Sequence, residues 1–163
     1  MADTERLRRD LYAAFKNRAL MYWHVFDELR KALGEPQATA LMARAIEARG
    51  REIGRQFSRY GPADLAGLRD AFVGGVPDDG RMFAPRVDRC DATALDITLQ
   101  RCPLKEAWQE AGVADADIAT LCRIAGRVDN GTFEAAGFEF SADTWQPGRD
   151  GCCHLHVRPG RAH

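Results

Sequence analysis

The sequence predicts an α+β protein, with a helical N-terminal half packed on a small antiparallel sheet and short helices in the C-terminal half. Three observations carry that expectation. Up to about Phe72, apolar residues recur at steps of three, four and seven, the period of a helix with one buried face. The glycine- and proline-bearing stretch GGVPDDG at 74–80 then interrupts the pattern. Beyond it the period falls to two, with Leu95, Ile97 and Leu99 alternating with Asp96, Thr98 and Gln100.

A chain of 163 residues, 45% hydrophobic and 29% charged, is long enough for one domain spanning 1–163. Within it, 1–74 is the helical layer and 81–158 the α/β part that holds the candidate site. The net charge of −1 gives no electrostatic reason to expect nucleic acid or an anionic membrane as partner. The opening MADTERLRRDLYAAFK is too charged for an export signal, and no stretch reaches the roughly 18–20 apolar residues of a membrane span. A cytoplasmic protein acting on a small molecule is the expectation.

Taken in order, the first helix covers 4–33, its stripe running through Leu7, Leu11, Phe15, Tyr22, Phe26, Leu29 and Leu33, and Gly34 stops it. Its run from Leu20 to Phe26 is apolar nearly all round, which points to burial on both sides or to a partner helix, hence to a homo-oligomer through this helix. His24 in that run reads as a core histidine. A second helix from Pro36 to about Tyr60 presents Met42, Ile46, Ile53 and Phe57. Gly50 and Gly54 weaken it, by up to about 1 kcal/mol each, unless close helix packing uses the missing side chains. Pro62 is expected to start a short helix bearing Leu65, Leu68 and Phe72. Strands at 83–90 and 93–101, helices at 103–111, 115–126 and 129–136, and strands at 138–142 and 152–157 complete the chain.

Five cysteines, an odd number without an export signal, argue for reduced thiols with core, metal-binding or reactive roles. Cys102 is the most informative. Pro103 suits a first helical position and Gly112 the residue past the end, so Cys102 is the expected N-cap, where unpaired N–H groups and the helix dipole favour a thiolate. The bland alternative is a small residue at a strand-to-helix corner.

In the closing strand, strict alternation puts Cys153 with Leu155 and Val157, and Cys152 with His154 and His156. Cys152, His154 and His156 are then a candidate ligand set for zinc, or a source of a base beside a nucleophile; solvated surface histidines are the alternative. Cys122, in an apolar helix, reads as core. Asp129 is a candidate catalytic or ligand residue, or the cap of the helix that follows it. Arg86 and Arg101, with Arg89, offer bidentate carboxylate recognition or plain solvated charge. No phosphate-binding glycine loop is present.

The run Cys102-Pro103-Leu104-Lys105-Glu106-Ala107-Trp108, followed by Leu121-Cys122, Asp129, Gly148 and Cys152-Cys153-His154-Leu155, resembles the L-2-amino-thiazoline-4-carboxylic acid hydrolase family over the C-terminal half. One departure is Leu155, where that family commonly has an aromatic residue. The resemblance implies hydrolytic opening of a cyclic amidine to a carbamoyl-cysteine product. Cys102 would be the nucleophile, Asp129 or His156 the proton carrier and Cys153 part of the pocket, with Arg86, Arg101 and Trp108 as substrate-binding candidates. A zinc-activated water held by cysteine and histidine is the competing mechanism. The glycine, cysteine and strand ending is also similar to 4-vinyl-reductase-type small-molecule-binding domains, which would bind without turnover. The acidic residue usual before the paired cysteines of such domains is not evident here.

Overall fold

A computed structural model describes residues 1–161. The long first helix, α1, runs Ala2–Leu33, and Gly34, at φ 84°, turns the chain directly into α2, Glu35–Gly54, with Pro36 in its first turn. The last turns expected of that second helix tighten into a 3-10 helix, Arg55–Tyr60. A cis peptide joins Gly61 and Pro62, and α3 begins only at Leu65 and runs to Gly74. Asp64, not Pro62, starts it: the Asp64 side chain accepts the Gly67 N–H at 2.8 Å, satisfying one of the donors that a helix start leaves unpaired.

Strands β1 (Pro85–Cys90) and β2 (Leu95–Leu99), helices α4 (Pro103–Glu110) and α5 (Asp115–Ala135), and strands β3 (Glu139–Asp143) and β4 (His154–Arg158) follow. The four strands are antiparallel in the order β1-β2-β4-β3, with Asp96 opposite His156 and Thr98 opposite His154. The α+β reading therefore holds, with one correction. The two helices expected at 115–126 and 129–136 are a single helix, α5, which passes Gly126 and Gly131 unbroken.

The reason lies in α2. A Cβ on Gly50 would run into the carbonyl oxygen of Val128, and one on Gly131 into that of Glu47. The missing side chains let α2 and α5 approach until backbone meets backbone, and the dispersion attraction of that close seam offsets the helix propensity the glycines give up. The Thr132 hydroxyl donates across the same seam to the Gly50 carbonyl at 3.3 Å, as well as to the Val128 carbonyl of its own helix at 2.8 Å.

Two apolar clusters sit on either side of α5. One gathers Phe26, Met42, Leu104, Trp108, Ile118 and Leu121 among α1, α2, α4 and α5; the other gathers Phe57, Leu68, Ile97, Phe133, Leu155 and Val157 on the inner face of the sheet. Cys153 packs against both. The run Leu20–Phe26 is not buried on both sides: Phe26 is fully buried, whereas Met21, His24 and Val25 are exposed. His24 is thus a surface residue rather than a core one. No helix among the described residues is long and apolar enough to cross a membrane.

Candidate functional site

Between the two clusters lies a cavity of about 580 Å³. Its walls come from α1, the end of α2, the 3-10 helix, α3, α4, α5 and the segments around them, the loop before β4 included, and four of the five cysteines reach it: Cys102, Cys122, Cys152 and Cys153.

Each thiol arrives by a different local device. Cys102 has extended backbone (φ −149°, ψ 116°) at the N-cap of α4, with Pro103 in the first turn. Cys122 is on the buried side of α5 and is 4% exposed, as its core reading required, but it also faces the cavity. Cys152 and Cys153 precede β4 rather than belonging to it. Gly151 takes φ 73°, a conformation that favours glycine. The segment after it is pinned to the end of β2: Cys152 N–H donates to the Leu99 carbonyl at 3.0 Å, and Leu99 N–H donates to the Cys153 carbonyl at 2.8 Å. Buried Lys105 donates its ammonium to the Gly151 carbonyl, with its Nζ 5.6 Å from the Trp145 ring centroid.

Cys152 sits at the centre of the thiols, with its Sγ 3.4 Å from that of Cys153 and the Cys102 and Cys122 thiols beside it. Such an arrangement cannot ionise more than once at modest cost, because like charges in a buried site repel. Cys102 is the thiol of the four whose ionisation is favoured. The Cys152 thiol as donor pulls Cys102 below the ordinary range, the backbone N–H groups of Lys105 and Leu104 and the Lys105 charge add to this, and burial opposes it. Cys152 is pushed far up by those same neighbours, Cys102 first, then Cys122 and Cys153, and then by burial.

Asp129 lies on α5 seven residues past Cys122, so its backbone is about 10 Å further along the helix at 1.5 Å per residue. Being mid-helix, it caps nothing. Burial alone raises its carboxyl to about 7, because no charge or hydrogen bond lies close enough to it to hold the anion. Carboxyl and thiols meet only through something held between them.

Other sequence candidates lie elsewhere. The alternation that put Cys152 beside His154 and His156 fails because β4 starts at His154, two residues after Cys152. Cys152 is buried against the helices, while both histidines are on the outer face of the sheet. There the His154 Nδ1 and Thr98 Oγ1 are 2.9 Å apart, and Thr98 donates to Asp88. The two ring nitrogens of His156 lie 2.9 Å from Asp96 and 3.1 Å from Asp143. Bonding to Asp96 raises the His156 pKa against burial, with Asp143 adding to it.

Cys152, His154 and His156 therefore do not converge as zinc ligands, and no group of three metal-ligating side chains among the described residues does. Arg86 pairs with Asp88 on the exposed edge strand at 2.6 Å. Arg101 is held bidentately by Glu106 at 2.9 Å and is not on the cavity wall. Trp108 is on the wall, fully buried, and its indole N–H donates to the Ala19 carbonyl at 2.7 Å, so only its apolar surface meets the cavity.

The basic residues on the wall are two that sequence reasoning passed over, Arg18 from α1 and Arg59 from the 3-10 helix. Each lies over an aromatic ring, Arg18 at 4.6 Å from the Phe15 centroid and Arg59 at 5.0 Å from that of Tyr60. In sequence they look like any solvated arginine; nothing short of the fold marks them.

An internal cavity that gathers four cysteines and an unpaired carboxyl in an α+β domain is where a candidate catalytic site is sought. The model of the L-2-amino-thiazoline-4-carboxylic acid hydrolase family matches residues 14–157, and the chain belongs to that family. The match takes in most of the helical half, where the sequence itself shows no diagnostic motif. A search among curated proteins returns no match.

Proposed function

We propose that the protein is a hydrolase that opens a small cyclic amidine or related C=N heterocycle of the thiazoline-carboxylate type, with Cys102 as nucleophile and Asp129 as proton carrier. The observation that carries this reading is the Cys102 thiol, lowered at a helix N-terminus and facing a cavity whose acidic wall residue is a carboxyl poised near neutrality.

The Cys102 thiolate attacks the amidine carbon and forms a C–S bond, while the C=N pair moves to nitrogen, which takes the proton held by Asp129. The ring C–S bond breaks and its sulfur leaves as a thiolate. Water then attacks the enzyme-bound amidine carbon and gives one proton to the Asp129 carboxylate. The remaining hydroxyl proton passes to the freed product sulfur as Cys102 departs as thiolate. One water is consumed, a carbamoyl thiol is released, and both residues return to their starting states. A pKa of about 7 is what allows one group to give and then take a proton at neutral pH. Cys152, held protonated, donates to Cys102 whenever it is the thiolate.

A panel of cyclic amidine carboxylates, followed by appearance of free product thiol and by mass spectrometry of the Cys102 peptide after acid quench, tests this. Expected are ring opening and a trapped amidine adduct on Cys102, both lost in Cys102→Ala. Equal turnover by the variant would remove the covalent route. Tight binding with no turnover by the native protein would make the chain a binding module.

A further inference from the structure

The cavity is too long and too apolar for the ring alone. Its α5 wall begins at Cys122 and passes Gly126 and Asp129 to Thr132, ten residues or about 15 Å of helix axis. A single five-membered ring with its amino and carboxylate groups, seated at the thiols, would leave much of that length empty. At about 580 Å³ the space falls in the roughly 300–1,000 Å³ range of pockets that enclose ligands of several rings.

What lines the remainder is specific. Phe57, Tyr60 and Phe72 come from the 3-10 helix and α3, joined by Ile53 and Val128. Phe72 is fixed by its neighbours, with ring centroids 6.3 Å from Phe57 and 5.0 Å from Phe133. A wall of rings already held in place by tilted contacts with one another accepts a flat apolar group with little further loss of side-chain freedom. The charge on the wall is also one-sided. Arg18 and Arg59 make no ion pair among the described residues, whereas most other arginines on the molecule have a carboxylate partner. Asp129, the acidic wall residue, is about half protonated at neutral pH.

We propose that the natural ligand is an aromatic or bulky apolar anion larger than an aminothiazoline carboxylate: an electrophilic head at the thiols, an apolar body along α5 against Phe57, Tyr60 and Phe72, and a carboxylate paired with the arginines of the wall. The assignment of the head rests on the hydrolase reading above; that of the body and the anion does not.

Binding to Cys102→Ala protein, with Cys102→Ser as a second background, separates the two. The ligands are 2-aminothiazoline-4-carboxylate, its 5-benzyl derivative, and the carboxamide of that derivative, compared by titration calorimetry. The benzyl carboxylate should bind at least tenfold more tightly than both the parent ring and the carboxamide. Ala71→Phe, which fills the aromatic end from α3 without touching a thiol, should erase the benzyl advantage. Arg18→Gln with Arg59→Gln should erase the advantage of carboxylate over carboxamide. A parent ring that binds as tightly as the benzyl form, a carboxamide that binds as tightly as the carboxylate, or no binding of the benzyl form overturns the proposal, and none of these comparisons needs the wall variants to fold. Binding of the benzyl form without ring opening by native protein would sink the hydrolase reading alone, and ring opening with no benzyl advantage would sink this one alone.

Discussion

The outer face of the sheet and the cavity beneath its inner face both gather titratable groups, and they treat them in opposite ways. Outside, the histidines and their neighbours are answered. His156 lies between Asp96 and Asp143, Asp96 also takes Arg158 at 2.8 Å, and Thr98 links His154 to Asp88. Inside, Asp129 has no partner among the described residues, and the Cys102 thiol is lowered first by a neighbouring thiol and by backbone N–H groups, with the Lys105 charge only adding to them. A paired, half-exposed histidine contributes modestly to stability and has little left to offer a substrate. A half-buried carboxyl that no charge or hydrogen bond answers costs stability, and such costs persist mainly where the group does chemistry. Of two clusters that look equally promising as a string of letters, the less satisfied one is the site we propose.

Substitutions break the comparison in a graded way. Cys102→Ala should lower turnover about a thousandfold or more with the fold intact, read from steady-state rates beside a thermal melt. Asp129→Asn should cost about 10²–10⁴ in turnover while stabilising the protein, and the gain depends on pH. The native carboxyl is raised from 3.8 to about 7, so the folded state holds a proton that the unfolded chain has released, and native stability falls as pH rises across that window. Melting temperatures of variant and parent should coincide at pH 3.5 and differ most above pH 7.

Cys122→Ala removes a 4%-exposed sulfur and should cost about 1 kcal/mol in denaturant melts, leaving a weaker but still active enzyme. A variant with unchanged melting and lost turnover would move Cys122 from wall to machinery. The smallest effect belongs to the outer face. His156→Gln should leave turnover within twofold and cost less than about 1 kcal/mol. The sign of its pH dependence is that of a raised histidine: the contribution is present below its unfolded pKa and lost as pH rises through the folded one, so the cost appears near pH 6 and fades in alkali. A large loss of turnover in this variant would merge the two regions that the account keeps apart.

Much of this was legible in the residues themselves. The helix-period stripe of α1, the alternation of β2 and the Cys102-Pro103 corner have local causes, and they appear where local rules put them. Helix α5 was broken in two because glycine and Asn-Gly are stop signals, and what overrides them is the backbone of α2, far away in sequence. The same override turned Asp129 from a cap into a cavity residue. Strand alternation was carried two residues too far back from His154, because nothing in the letters reveals that Gly151 turns the chain just before β4 begins. Arg18 and Arg59 had no signal to give; their meaning depends on the absence of carboxylates around them, which is a property of the folded surface.

The most direct test is the pH dependence of alkylation of each cysteine by iodoacetamide, resolved by peptide mass spectrometry and followed alongside turnover. The account predicts that Cys102 reacts first, with an apparent pKa below the ordinary thiol range, that activity is lost in step with it, and that Cys152 stays unmodified until Cys102 is blocked. Cys102 titrating as an ordinary thiol, or full turnover after it is capped, would contradict the claim that the unsatisfied groups of the cavity carry the chemistry.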